Sequence, residues 1–231
     1  MEKHIIRAIE LSGRRVGSTF LQQAINSHPD IIGIDEVFVN DIKKKYRKSG
    51  FVPFVNSDLE SPGEYIEDVI NRTYPDNSTI FKLMYHQIEY HIGLKNYIIE
   101  NNISIIHLER KNLVKQSISQ LKMGYPSNHN IVITPIDFFK TVKENDILNK
   151  YYTEYFKDKI KLKLYYEDLF GDIVDDRCYM SNNSNIAVCR FFNAKEVRLF
   201  ANTKKRLSDK ISDHLSNLDE IRKYFKGTEY E

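Results

Sequence analysis

Two hydrophobic periods take turns along this chain. Ile5-Ile6-Arg7-Ala8-Ile9-Glu10-Leu11 is a short, largely apolar run of strand length. Directly after it, Phe20, Leu21, Ala24 and Ile25 fall on one face of a helix. Carried along the chain, the pattern predicts strands over 4–11, 79–84, 103–109 and 161–165, with a short extended piece over 31–34. It predicts helices over 17–27, 62–73, 86–100, 112–123, 135–157, 186–193 and 216–225. Strands separated by helices imply an α/β fold: a mainly parallel sheet flanked by helices. At 231 residues the chain fits a single domain over 1–231 with a substantial core. Three segments read as irregular: 41–61, 124–135 and the polar, turn-rich 172–185.

Composition narrows the classes. With 34 basic and 32 acidic residues, the chain is neither a strongly basic nucleic-acid binder nor an acidic tail. The clusters Lys43-Lys44-Lys45 with Arg47-Lys48, and Lys204-Lys205-Arg206, stand out locally, the first read as a solvated face. No run of 18 apolar residues occurs, so no membrane span is expected. Met1-Glu2-Lys3-His4 leads straight into a strand without a signal-peptide pattern, and the expectation is a cytoplasmic protein. Two cysteines, Cys178 and Cys189, make neither a disulfide framework nor a metal site and are expected to be reduced.

The segment Ser12-Gly13-Arg14-Arg15-Val16-Gly17-Ser18-Thr19 sits between the first strand and the first helix. A glycine-containing turn there presents backbone N–H groups at the positive end of a helix, which suits a phosphate. It departs from the nucleotide-hydrolase pattern G-x-x-x-x-G-K-[ST]. The glycines are one residue closer, no lysine follows Gly17, and the positive charge comes earlier, at Arg14-Arg15. The lysine and hydroxyl that hold magnesium against a γ-phosphate are missing. No cluster of His, Cys and carboxylates offers a metal site in their place, so metal-independent chemistry is expected. Taken alone, the segment also reads as a sharp turn capped by Ser18 or Thr19.

The loop, with Asn26-Ser27-His28-Pro29-Asp30 and Asp35-Glu36-Val37-Phe38, resembles the 5′-phosphosulfate loop of sulfotransferases that use 3′-phosphoadenosine 5′-phosphosulfate (PAPS), in particular bacterial and carbohydrate-type members. Further segments follow in that family's order. They are Phe81-Lys82-Leu83-Met84-Tyr85, the run from His107 to Ser119 with Arg110, Asn112 and Ser119, the block Tyr165-Tyr166-Glu167-Asp168-Leu169, and the ending from Ser216-Asn217 to Gly227-Thr228. The resemblance implies a P-loop-like sulfotransferase fold, PAPS as donor and adenosine 3′,5′-bisphosphate as product. It implies an acceptor hydroxyl or amine on a small molecule, carbohydrate or lipid.

By the same resemblance, Arg14, Arg15, Val16, Gly17, Ser18 and Thr19 would hold the 5′-phosphate, with Arg15 neutralising the leaving charge. Arg110 and Ser119 would hold the 3′-phosphate, and Lys111 shares that candidacy because the Arg-to-Ser gap is nine rather than the eight of many members. Asn112, Gln116 and Ser119 share one helix face, opposite the apolar stripe of Leu113, Val114, Ile118 and Leu121. Glu36 falls where bacterial members carry a catalytic glutamate, and Asp35 and His86 compete with it for the role of base. Lys82 would approach the transferred sulfuryl group, or is an exposed lysine at a strand end. His107 reads as a core or strand-edge histidine, and Glu167-Asp168 as a structural turn. Two other classes stay open: a P-loop small-molecule kinase, and a nucleotide-binding protein without catalysis.

Overall fold

A computed structural model describes residues 5–36, 38, 63, 66, 74–123, 125, 130–202 and 211–228. The expected helix over 62–73, the segment 41–61 and both basic clusters lie outside these residues, apart from Gly63 and Ile66. The elements run β1 (Arg7–Ser12), α1 (Ser18–Asn26), β2 (Ile31–Ile34), β3 (Ser78–Met84), α2 (Tyr85–Tyr90), α3 (Ile92–Glu100), β4 (Ser104–Glu109) and α4 (Leu113–Leu121). They continue with α5 (Pro135–Tyr155), β5 (Ile160–Tyr165), a short 3-10 turn (Tyr166–Asp168), β6 (Phe170–Val174), β7 (Arg177–Met180), α6 (Asn182–Phe191), β8 (Phe200–Ala201) and α7 (Leu218–Phe225).

Five strands form one sheet in the order β2-β3-β1-β4-β5, and every pairing in it is parallel. Near-continuous apolar runs suit such strands, because helices cover both faces. On one face, Phe20, Leu21, Ala24 and Ile25 of α1 and Val188 and Cys189 of α6 pack over Ala8, Ile80, Ile106 and Leu164. On the other, Ile88, Leu94 and Ile98 of α2 and α3, with Tyr152 and Phe156 around α5, pack over Ile9, Leu11, Phe81, Leu83 and Ile105. A third cluster joins Ile118 of α4 to Phe138 and Val142 of α5 and to Ile221 and Phe225 of α7.

This order fixes where a site can form. From β1 the chain crosses to the β2 edge through α1 on one face. From β4 it crosses to β5 through α4 and α5 toward the opposite edge. Neighbouring strands that send the chain opposite ways leave a crevice beyond their carboxyl ends, the usual ligand position in open α/β sheets. The loop after β1 and Arg110 after β4 both lie there.

The structure changes three local expectations. The 86–100 helix is two helices that meet at His91, whose φ of −114° and ψ of 80° break the run. The irregular 172–185 segment is mostly ordered: β6 and β7 form a hairpin over Asp175-Asp176, β8 adds a third antiparallel strand, and α6 begins at Asn182. Both hairpin aspartates have positive φ, 47° and 63°, which matches a tight primed turn. Cys178 therefore lies on a strand rather than in a loop, and it and Cys189 are free and buried. Among the described residues, no helix is long and apolar enough to cross a membrane.

Candidate functional site

Arg15 is the hub of the crevice. Its backbone has a φ of 63°, unusual for a residue with a side chain, and Gly17 two positions later has a φ of 88°. Gly17 serves two ends here. Its backbone suits glycine, and a Cβ on it would lie 2.8 Å from the Tyr166 ring. The resulting turn sets the N-terminal end of α1 at the crevice. Gly17 is the N-cap of α1 and no side chain caps the helix, so the reading of a turn capped by Ser18 or Thr19 does not hold.

Three side chains from the end of β4 and from α4 fasten this loop. The Arg15 Nε donates to Ser119 Oγ at 2.9 Å, and Arg110 Nη1 donates to the Arg15 carbonyl at 3.2 Å. The Gln116 Nε2 donates to the Arg14 carbonyl at 2.9 Å. A Cβ on Gly13 would lie 3.2 Å from Tyr85 Cε2 and 3.3 Å from Gln116 Nε2, so the loop start is as closely held as its end. The expected polar face of α4 does gather at the site: Gln116 and Ser119 are buried against the loop, while Asn112 caps the helix by accepting from Lys115 N at 2.8 Å.

Arg110 is positioned by the block after β5. Its guanidinium carbon lies 4.1 Å from the centroid of the Tyr166 ring, and its Nε is 3.9 Å from Glu167 Oε1. Glu167 accepts from the backbone N–H of Lys111 at 3.0 Å and of Asn112 at 3.1 Å, tying the end of β4 to the end of β5. The Lys111 Nζ bonds Asp168 at 2.7 Å and lies over the Tyr165 ring. That commits Lys111 to the Glu167-Asp168 turn, which is structural, while Arg110 and Ser119 converge on Arg15.

Across the loop lies a second group. Lys82 is 5% exposed, so it is no exposed strand-end lysine. Its Nζ is 2.8 Å from Glu36 Oε1 and 3.3 Å from Asp35 Oδ1. Glu36 Oε2 also accepts from Gln87 Nε2 at 3.1 Å. Burial alone would lower the Lys82 pKa, but Glu36 first, then Asp35 and Glu10, hold it above the ordinary lysine value. His86, at the second position of α2, is half-buried, and burial followed by the nearby Arg14 charge lowers its pKa. His86 is therefore a neutral imidazole at neutral pH. Both candidate bases thus stand near the loop, Glu36 in an ion pair and His86 beside Arg14.

Sequence reasoning missed Glu10. Its Cα pairs with Lys82 across β1 and β3, so both side chains leave the same face of the sheet. It is 1% exposed, and its Oε1 has no hydrogen-bond partner among the described residues. Its signal in the sequence is one charged residue inside an apolar strand. His107, by contrast, is the core histidine expected.

Among the described residues, no group of three or more His, Cys, Asp or Glu is placed to hold a metal ion. No protein-family model matches this chain, and no curated protein matches it.

Proposed function

We propose that this protein is a PAPS-dependent sulfotransferase, acting on a hydroxyl or amine of a small-molecule, carbohydrate or lipid acceptor. The observation that carries the reading is the convergence of Arg110 and Ser119 on Arg15 in a positive-φ turn at the carboxyl ends of β1 and β4, with Lys82 and Glu36 paired on the other side. Two clusters of donors flank one anion-binding turn, which suits a nucleotide carrying phosphates at both ends of its ribose.

In the reaction the acceptor oxygen attacks the sulfur of PAPS and forms a new S–O bond. The bond from sulfur to the bridging oxygen of the 5′-phosphate breaks, and its electron pair stays on that oxygen. Glu36 takes the acceptor proton. Arg15 and the N–H groups of residues 17–19 meet the charge that develops on the leaving phosphate, and Lys82 meets the sulfuryl oxygens. Arg110 and Ser119 hold the 3′-phosphate. Lys82 and Gln87 occupy the two oxygens of Glu36, so Lys82 has to turn toward the sulfuryl group before Glu36 acts as base.

Thermal unfolding with nucleotides tests the donor site. Adenosine 3′,5′-bisphosphate should raise the melting temperature well above the effect of adenosine 5′-phosphate. Equal stabilisation by the two removes the 3′-phosphate site. Mass spectrometry of acceptor libraries incubated with PAPS then tests transfer. Chelator-sensitive consumption of ATP with phosphorylation of an acceptor would replace this reading with the kinase.

A further inference from the structure

Glu10 is the buried group for which the reaction above has no use. It sits in the middle of the central strand, between Ile9 and Leu11, both fully buried. Its partners across the sheet are Lys82 on β3 and Ile106 on β4. An apolar side chain would pack there with Ala8, Ile80 and Ile106 beneath α1 at no desolvation cost. The position instead holds a carboxyl with one oxygen unpartnered among the described residues. Such a group destabilises the fold unless it does something else there.

Its surroundings say what. Lys82 from β3 is the cation that acts on it, and Asp35 and Glu36 beyond β2 add negative charge. Ile106 of β4 and Phe20, Leu21, Ala24 and Ile25 of α1 are apolar residues on that face of the sheet. Lys82 thus stands among three carboxyl groups: it is ion-paired with Asp35 and Glu36 and lies beside Glu10 in the register of β1 and β3, its charge acting on the Glu10 carboxyl.

We propose that Glu10 is a positioning residue for Lys82: as a neutral acid it leaves the ammonium turned outward to Glu36, Asp35 and the donor, and on ionising it draws Lys82 inward and stops transfer. The inference rests on the sulfotransferase reading for what Lys82 meets. Burial pushes the Glu10 pKa up to about 8 against the pull of Lys82, with Asp35 and Glu36 adding to the rise, so the neutral acid predominates at neutral pH. Glu10 passes no proton to substrate. Its part is confined to where Lys82 points.

The test uses the full chain in two measurements. In the first, protein labelled with 13C at glutamate carboxyl and lysine Cε carbons is titrated by NMR, with Glu10→Gln and Lys82→Arg identifying the two resonances. Glu10 should titrate far above the other carboxyls, and the Lys82 resonance should shift with the same midpoint and lose that step in Glu10→Gln. A Glu10 midpoint in the ordinary carboxylate range, or a Lys82 resonance blind to it, overturns the proposal. This measurement needs no activity and no variant that turns over.

In the second, kcat is followed against pH with PAPS. Wild type should lose activity above the Glu10 midpoint, roughly tenfold per pH unit for one ionisation. Glu10→Gln should match wild type at neutral pH and stay level through that range. A purely structural Glu10 would shift stability and leave the alkaline limb in place, and retention of that limb in Glu10→Gln overturns the proposal. A shared NMR midpoint with no sulfated product at any pH overturns the transfer reading, and the catalytic half of this proposal with it.

Discussion

Two buried polar clusters lie back to back on opposite faces of the sheet, and they are built on opposite terms. On the face of α2, α3 and α5, Tyr85 Oη is 2.7 Å from His107 Nε2 and donates to Asn149 Oδ1 at 3.1 Å. Thr153 Oγ1 donates to Glu109 Oε1 at 2.8 Å, and Lys163 Nζ is 2.9 Å from the same carboxylate. Tyr152 bonds the Tyr85 carbonyl and Glu89, and its ring stacks on Tyr85 at 4.6 Å between centroids. Every one of these groups has a partner. On the α1 face, Glu10 keeps an oxygen unpartnered among the described residues beside Lys82, and Lys82 is held by the carboxylates of Glu36 and Asp35. A satisfied network rigidifies, whereas an unsatisfied one waits for something. The first supports the loop at Gly13 through the Tyr85 ring; the second is the cluster to which the proposed function assigns the transfer chemistry.

Breaking the α1-face cluster should hurt turnover most. Glu36→Gln keeps the shape and the Gln87 contact region but removes the base, and kcat should fall by roughly a hundredfold or more with donor binding little changed. Arg15→Ala should weaken both, since Arg15 meets the phosphate before and during transfer, as titration calorimetry with the bisphosphate beside steady-state rates will show. Full activity in Glu36→Gln together with a dead His86→Ala would move the base to His86.

The clusters should also answer pH in opposite senses. Burial pushes the His107 pKa down to about 4, with the Glu109 charge opposing, so the unfolded chain takes up a proton that the folded one refuses. Stability is therefore lost as pH falls from 6.5 toward about 4, by on the order of 3 kcal/mol from this residue. Glu10 runs the other way. Its folded pKa is raised from 4.5 to about 8, the folded state keeps a proton the unfolded one sheds, and stability is lost as pH rises through that window. Denaturant midpoints of His107→Gln and Glu10→Gln across pH should flatten the acid and alkaline limbs respectively. Loss of one limb in the other variant would deny the division between the faces.

Tyr85→Phe sharpens the contrast at smaller scale. It strands His107 and Asn149 and should cost about 1–3 kcal/mol in urea unfolding, with kcat changed far less than in Glu36→Gln. The smallest expected effects are null. Excess EDTA should leave bisphosphate affinity and transfer unchanged, and Cys178→Ala with Cys189→Ala should lower stability without lowering kcat.

The sequence told most where one residue class repeats at short range. The periods of β1, β3, β4 and α1 and the polar face of α4 are local patterns, and they survive folding. The β6–β7 hairpin was illegible because β6 leaves its adjacent apolar residues Ile173 and Val174 exposed, so they make no alternation with a buried face, and two aspartates make its turn. Glu36 was legible as a candidate but its restraint by Lys82 was not, because β2 and β3 become neighbours only in space. Glu10 was hidden for a subtler reason. A single acid in an alternating strand looks like its solvent side, and only the helices on both faces show that this strand has no such side.

The parallel sheet order also bears on how the protein comes into being. Arg15 and Ser119 are 104 residues apart in sequence, and Arg110 and the Arg15 carbonyl 95. No hairpin or neighbouring pair of elements brings them together, since β1 must first find β3 and β4 as parallel partners, the slow kind of pairing in folding. Nucleotide binding should therefore appear last during refolding, after far-ultraviolet circular dichroism has recovered. A nascent chain released before β4 has formed would hold the loop and none of the grip.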